Sequence, residues 1–167
     1  MGLEIERKFL VQGQAWRKIA ETGVSYAQGY LTREVGRSVR VRVAGDQGFL
    51  TIKSATTGIS RREYEYQIPV DEAWELLKHL CYQPLIKKTR YRIEQAPLVW
   101  EVDEFWGENQ GLILAEVELS HPEQALVIPD WIGREVSQDH RYFNAYLNQH
   151  PYQEWASHRI DVNPLTD

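Results

Sequence analysis

Alternation of apolar and polar positions with a period of two dominates the first 120 residues. About eight strand-like runs follow one another, near 3–11, 25–32, 37–43, 47–53, 62–69, 87–94, 98–105 and 112–120. Turn-rich stretches separate several of them, among them AGDQG at 44–48 and FWGENQG at 105–111. Helical spacing is rarer. QAWRKIAE at 14–21 predicts a short helix ending before Gly23, and Asp71 predicts the N-cap of DEAWELLKHL, where Ala73, Leu76, Leu77 and Leu80 recur at helical intervals. A further short helix is expected at 122–127, and another over 139–148 with Asp139 as its cap. The tail QEWASHRIDVNPLTD has no clear period and is expected to be poorly ordered. Without internal repeat, linker or low-complexity block, the chain reads as one domain over 1–150, with a tail of unknown role at 151–167.

Because a strand sends successive side chains to opposite faces, each run sorts its residues into two sets. The opening LEIERKFLV places Glu4, Glu6 and Lys8 on one face. SVRVRV sets Arg40 and Arg42 against Val39, Val41 and Val43; FLTIK puts Lys53 with Thr51; REYEYQI pairs Glu63 with Glu65. KTRYRIE lines up Lys88, Arg90 and Arg92, WEVDEF pairs Glu101 with Asp103, and LILAEVEL pairs Glu116 with Glu118. The uncharged YAQGYL puts Tyr26, Gln28 and Tyr30 on one face.

Two like charges at i and i+2 lie ~6.5 Å apart, a repulsion of about 0.6 kcal/mol in water and about 2.4 kcal/mol at an effective dielectric of 20. A solvated face gains nothing from such pairs and usually intermixes its charges. Here the strands are sorted by sign, with seven basic and eight acidic residues on the charged faces. That near balance follows if the faces point inward, since buried charges must be paired. The expected fold is therefore α+β, mostly β: a closed eight-stranded antiparallel barrel with a few flanking helices, charged inside and apolar outside. Arg and Lys offer donors for phosphate oxygens, and carboxylates beside a polyanion need an intervening cation, Mg²⁺ or Mn²⁺. A metal–polyphosphate complex suits such a lumen. Tyr30 is expected to line it, while Glu101 and Asp103 belong to lumen or rim.

Composition narrows the alternatives. Net charge is −5, which argues against nucleic acid as the main partner. No run approaches the length of a membrane span and no signal sequence is evident, and the single Cys81, in an apolar helical pattern, is compatible with a reducing cytoplasm. Walker loop, GxGxxG, GxSxG and zinc-type histidine spacing are all missing from the sequence. A homodimer is left open.

Taken in order, EIERK, SVRVRV, TIK, REYEYQI, KTRYR and AEVEL resemble the CYTH superfamily, the triphosphate tunnel metalloenzymes. The resemblance runs from residue 3 to about 150 and is nearest to compact bacterial inorganic tripolyphosphatases. It implies that Glu4, Glu6, Glu116 and Glu118 hold a catalytic Mg²⁺ or Mn²⁺. It implies that Lys8, Arg40, Arg42, Lys53, Lys88, Arg90 and Arg92 bind a small-molecule triphosphate. Glu63 and Glu65 match an acidic pair concerned with metal or water. A nucleotide- or thiamine-triphosphate-directed relative and a non-catalytic polyphosphate-binding module are the alternatives, and the alignment leaves the role of HRIDVNPLTD open.

Overall fold

The computed structural model describes residues 2–156, so most of the expected tail, 157–167, lies outside the described residues. Nine strands form: β1 (Gly2–Val11), β2 (Val24–Tyr30), β3 (Arg37–Ala44), β4 (Gln47–Ser54), β5 (Ser60–Ile68), β6 (Ile86–Gln95), β7 (Leu98–Phe105), β8 (Ile113–Glu118) and β9 (Ile132–Glu135). The hydrogen-bonded order is β5-β4-β3-β2-β6-β7-β8-β1, and β1 pairs again with β5, which closes an eight-stranded antiparallel barrel. Closure is shared along one edge of β1. Residues 2–5 pair with β5, while Phe9 and Val11 pair with β9. The extra strand takes over where β5 ends.

The apolar faces point outward and are covered piecewise. Helix α1 (Val70–His79) lays Ala73 and Leu77 over Val41 and Val43 of β3. It lies so close to β4 that a Cβ at Gly48 would stand 2.7 Å from that of Ala73. On another side Phe9, Trp100, Val102, Ala115 and Val117 pack with Trp16 and Trp131. A third cluster gathers Ile86, Phe105, Leu114 and Val136 beneath Tyr142 and Leu147. Burial of this outer shell holds the wall together, and the charged faces are left to the inside.

Several helical expectations change. The stretch at 14–21 forms only a 3₁₀ turn, Ala15–Lys18. Trp16 is its single buried residue, 5.2 Å from the Tyr91 ring, and one anchor is not a helical stripe. No helix forms at 122–127; the chain makes a turn and then runs extended, with Val127 and Ile128 exposed. Asp71 does not cap α1, because the helix starts at Val70 behind the extended Pro69, and Asp71 falls in the first turn, a favourable place for an acid. The expected 139–148 helix breaks at the extended Phe143 into a 3₁₀ turn, His140–Tyr142, and α2 (Asn144–Gln149). Asp139 does act as a cap, its carboxylate accepting from the Arg141 N–H at 3.1 Å. Beyond it, the first part of the tail is not loose: Tyr152 and Trp155 pack onto the Tyr142 cluster. Cys81 is buried just past α1, and burial pushes its thiol up to about 11, which suits packing rather than nucleophilic chemistry.

Candidate active site

Cross-strand register brings the sorted charges together. On β1, Glu6 faces Glu118 and Lys8 faces Glu116, both on β8; Glu116 in turn stands beside Glu101 of β7. Arg90 of β6 lies opposite Asp103, and Lys53 of β4 opposite Glu63. The result is a cavity of about 220 Å³ inside the barrel, with seven glutamates (4, 6, 63, 65, 101, 116 and 118) and five cations (Arg40, Arg42, Lys53, Arg61 and Arg90) in its wall. Tyr26 and Asn144 complete the lining. Past Glu4, Glu6 and Arg61 the lumen narrows to a pocket of about 20 Å³ that includes Lys8, Ser137 and Phe143. There the Lys8 ammonium donates to the Tyr142 carbonyl at 3.2 Å and lies 5.0 Å from the Phe143 ring. The 140–149 segment therefore caps this end of the lumen.

Most cations already hold a carboxylate. Glu4 accepts from Lys53 at 3.1 Å and from Arg61 at 2.8 Å. Glu116 lies 3.4 Å from Lys8 and 3.9 Å from Arg90. Asp103, 1% exposed, takes both Lys88 at 2.8 Å and Arg90 at 2.7 Å. Glu65 takes Arg42 at 2.9 Å. Arg40 has no carboxylate partner among the described residues, and Nε of both Arg40 and Arg42 is buried without a hydrogen-bond partner. Buried donors in that condition call for an acceptor-rich ligand.

Charge balance differs from point to point. Burial raises the Glu4 carboxyl, but Lys53 and Arg61 outweigh it and bring it to about 2. Burial likewise opposes ionisation of Glu116, and Lys8 and Arg90 hold it far below the ordinary range. Glu6 goes the other way: burial, with Glu116 and Glu4 nearby, pushes it up to about 8. Glu63 and Glu118 are also raised, first by burial and then by neighbouring carboxylates. On the basic side, burial lowers Lys88 to about 8 against the pull of Asp103. Burial raises the Tyr30 hydroxyl.

Among the described residues no group of three carboxylates or imidazoles stands ready-gathered around a metal position. The lysines and arginines occupy the oxygens instead. The donor chemistry nonetheless fits a hard divalent cation: carboxylate oxygens only, with Glu6 held neutral chiefly by burial and by Glu116 and Glu4. A dication at that point would remove the repulsion that protonation now relieves.

The lumen thus brings together Glu4, Glu6, Arg40, Arg42, Lys53, Glu63, Glu65, Arg90, Glu116 and Glu118. Lys8 lies in the narrow end, Lys88 is buried against Asp103, and Tyr30 is buried beside Arg40. Arg92 is not brought in. It is exposed at the mouth, in an opening that shares Tyr26, Glu101 and Glu118 with the cavity. Arg61 is absent from the sequence expectations because the alternation is clear only from 62, whereas β5 begins two residues earlier, at Ser60. Asp103, left undecided between lumen and rim, proves to be the buried anchor of Lys88 and Arg90.

Comparison with known proteins agrees with this geometry. The chain is 52% identical over 155 residues, 93% of its length and 99% of the relative's, to an inorganic triphosphatase of Acetivibrio thermocellus. It is 39% identical over 149 residues, 86% of its length and 95% of the relative's, to one from Nitrosomonas europaea. A crystal structure of the inorganic triphosphatase NE1496 superimposes with a TM-score of 0.63 at 36% identity, covering 86% of this chain and 96% of that one. The CYTH domain family matches residues 2–146, and the chain belongs to that family.

Proposed function

We propose that this protein hydrolyses inorganic tripolyphosphate to pyrophosphate and phosphate inside the barrel, with a divalent cation, Mg²⁺ or Mn²⁺, bound by Glu4, Glu6, Glu116 and Glu118. The observation that carries the reading is the closed lumen itself, whose wall joins five cations and seven carboxylates around one cavity. A hydrocarbon ligand has no place there. The relatives of 52% and 39% identity, both inorganic triphosphatases, support the same substrate.

Arg40 and Arg42 on one side and Lys88 and Arg90 on the other would grip the phosphate oxygens, Arg through forked donors and Lys as point charges. Lys53 and Lys8 extend the grip along the row toward the capped end. A dication held by Glu4, Glu6, Glu116 and Glu118 would supply positive charge to offset that developing on the phosphate oxygens. Glu63 and Glu65, on the β5 wall, orient the attacking water. With its carboxyl raised, Glu63 is suited to accept a proton from that water. Phosphoryl transfer needs chiefly positioning and electrostatic stabilisation, so no nucleophilic side chain is required. The arginines stabilise the departing pyrophosphate. Among the described residues no helix is long and apolar enough to cross a membrane. Together with the single cysteine, this suits work in the cytoplasm on a free small-molecule triphosphate.

The test is phosphate release from tripolyphosphate, ATP, thiamine triphosphate and pyrophosphate, each with Mg²⁺, Mn²⁺ or EDTA. Metal-dependent release from tripolyphosphate well above the others is expected. Tight tripolyphosphate binding with no release would make the protein a polyphosphate-binding module instead.

A further inference from the structure

β2 runs through the middle of the basic wall, between the arginine strand β3 and the lysine–arginine strand β6, yet carries no charge of its own. Its Tyr26 lines both the cavity and the mouth. Three cations from the two flanking strands converge on this ring. The Arg90 guanidinium carbon lies 4.9 Å from its centroid, that of Arg42 5.2 Å, and the Lys88 ammonium 5.9 Å. Burial, the neighbouring Arg40 and, less strongly, Arg90 all disfavour the charged form of Arg42. A ring's negative face attracts a cation within about 6 Å, more strongly where water is excluded.

We infer that Tyr26 is a positioning residue: its aromatic face, backed by the buried Lys88, holds Arg42 and Arg90 side by side so that their donors converge on one polyphosphate. The inference rests on the lumen being the substrate site, and it adds a requirement that lumen charge alone does not impose. What acts is the π-face of residue 26, and the hydroxyl does not contribute. A flexible aliphatic side chain of similar bulk would fill the space yet leave Arg42 held on that side only by Glu65, at 2.9 Å, while Arg90 keeps Asp103 and Glu101, at 2.7 and 3.2 Å.

The experiment compares wild type with Tyr26→Phe, Tyr26→Leu and a series carrying singly to multiply fluorinated phenylalanine at position 26. Fluorination drains the ring face without altering its shape, so folding is not at stake. Tripolyphosphate affinity is read by calorimetry in EDTA, and KM and kcat by phosphate release with Mg²⁺. Tyr26→Phe is expected to stay within about twofold of wild type, Tyr26→Leu to raise Kd and KM about tenfold with a smaller change in kcat, and successive fluorines to raise Kd stepwise. A Tyr26→Phe as weak as Tyr26→Leu, or a flat fluorine series, overturns the inference. Wild-type protein that binds tripolyphosphate without hydrolysing it would remove the proposed reaction and leave this inference to stand on the affinity series. Wild type that does not bind it at all would overturn both.

Discussion

Glu4 and Glu6 sit two residues apart on one strand and face one lumen, yet they live in opposite electrostatic worlds. The Glu4 corner is rich in cations, with Lys53 and Arg61 both on its carboxylate, and the carboxyl titrates near 2. The Glu6 corner is poor in them. Burial, Glu116 and Glu4 push it to about 8, and neither Lys8 nor Lys53 makes up the difference. Chemistry and spacing are the same; the surroundings differ. The lesson is that balanced charge overall does not mean balanced charge locally. The local deficit at Glu6 marks where a divalent cation gains most, while the Glu4 corner is already served by protein cations.

The largest expected effect comes from removing the acid at the deficit. Glu6→Gln should lower kcat/KM by about 10²–10³, since it deletes a charged group from a preorganised site. It should also make the metal-free protein no less stable, and slightly more stable at pH 9; phosphate release and urea unfolding read the two. Glu4→Gln should do the reverse in stability terms. It strands Lys53 and Arg61, so unfolding free energy should drop by about 3 kcal/mol. Equal destabilisation by the two variants would break the comparison.

Next in size is the pH dependence of the metal-free protein. The Glu6 carboxyl is raised from 4.5 to about 8 on folding, so the folded chain binds the extra proton between those values. Its contribution is fully present below pH 4.5 and is lost as pH rises through 8, an effect of at most about 5 kcal/mol and smaller here because Glu6 keeps some exposure to water. Glu4 acts with the opposite sign, giving stability above pH 4.5 that is lost as pH falls toward 2. Urea titrations in EDTA from pH 5 to 9 should show a decline that Glu6→Gln largely removes, leaving the smaller part due to Glu63 and Glu118; an unchanged decline would move the deficit elsewhere. The smallest effect belongs outside the lumen. Arg7 and Glu135 pair at 2.6 Å on the outer surface, both partly exposed, and Arg7→Ala should lower stability by less than about 1 kcal/mol.

The barrel was legible because its inner and outer faces obey one rule. Over residues 39–43 of β3 valines alternate with Arg40 and Arg42 turned into the lumen, Val41 and Val43 packing outward, and the same alternation carries to β5, β6 and β8. What was not legible depends on contacts distant in sequence. Arg61 meets Glu4 across the seam between β5 and β1, and no local pattern announces a partner 57 positions away. β9 is four residues long, IGRE, too short to show alternation, and exists because β1 leaves an edge free past β5. Its strand alone leaves Asp103 between lumen and rim, and its place opposite Arg90 seals it in. The opposite titration of Glu4 and Glu6 could not be read from a strand on which they are equivalent.

The divided edge of β1 also governs when the site comes into being. Glu4, Glu6 and Lys8 are made before the rest of the barrel, yet β1 pairs with residues 60–63, 114–118 and 132–135. Its last partner is therefore synthesised more than 120 residues after it. Contacts so distant in sequence are the slow ones to form. No nascent chain shorter than about Glu118 can hold the complete acidic wall, and regain of phosphate release on refolding should coincide with the final zipping of the barrel.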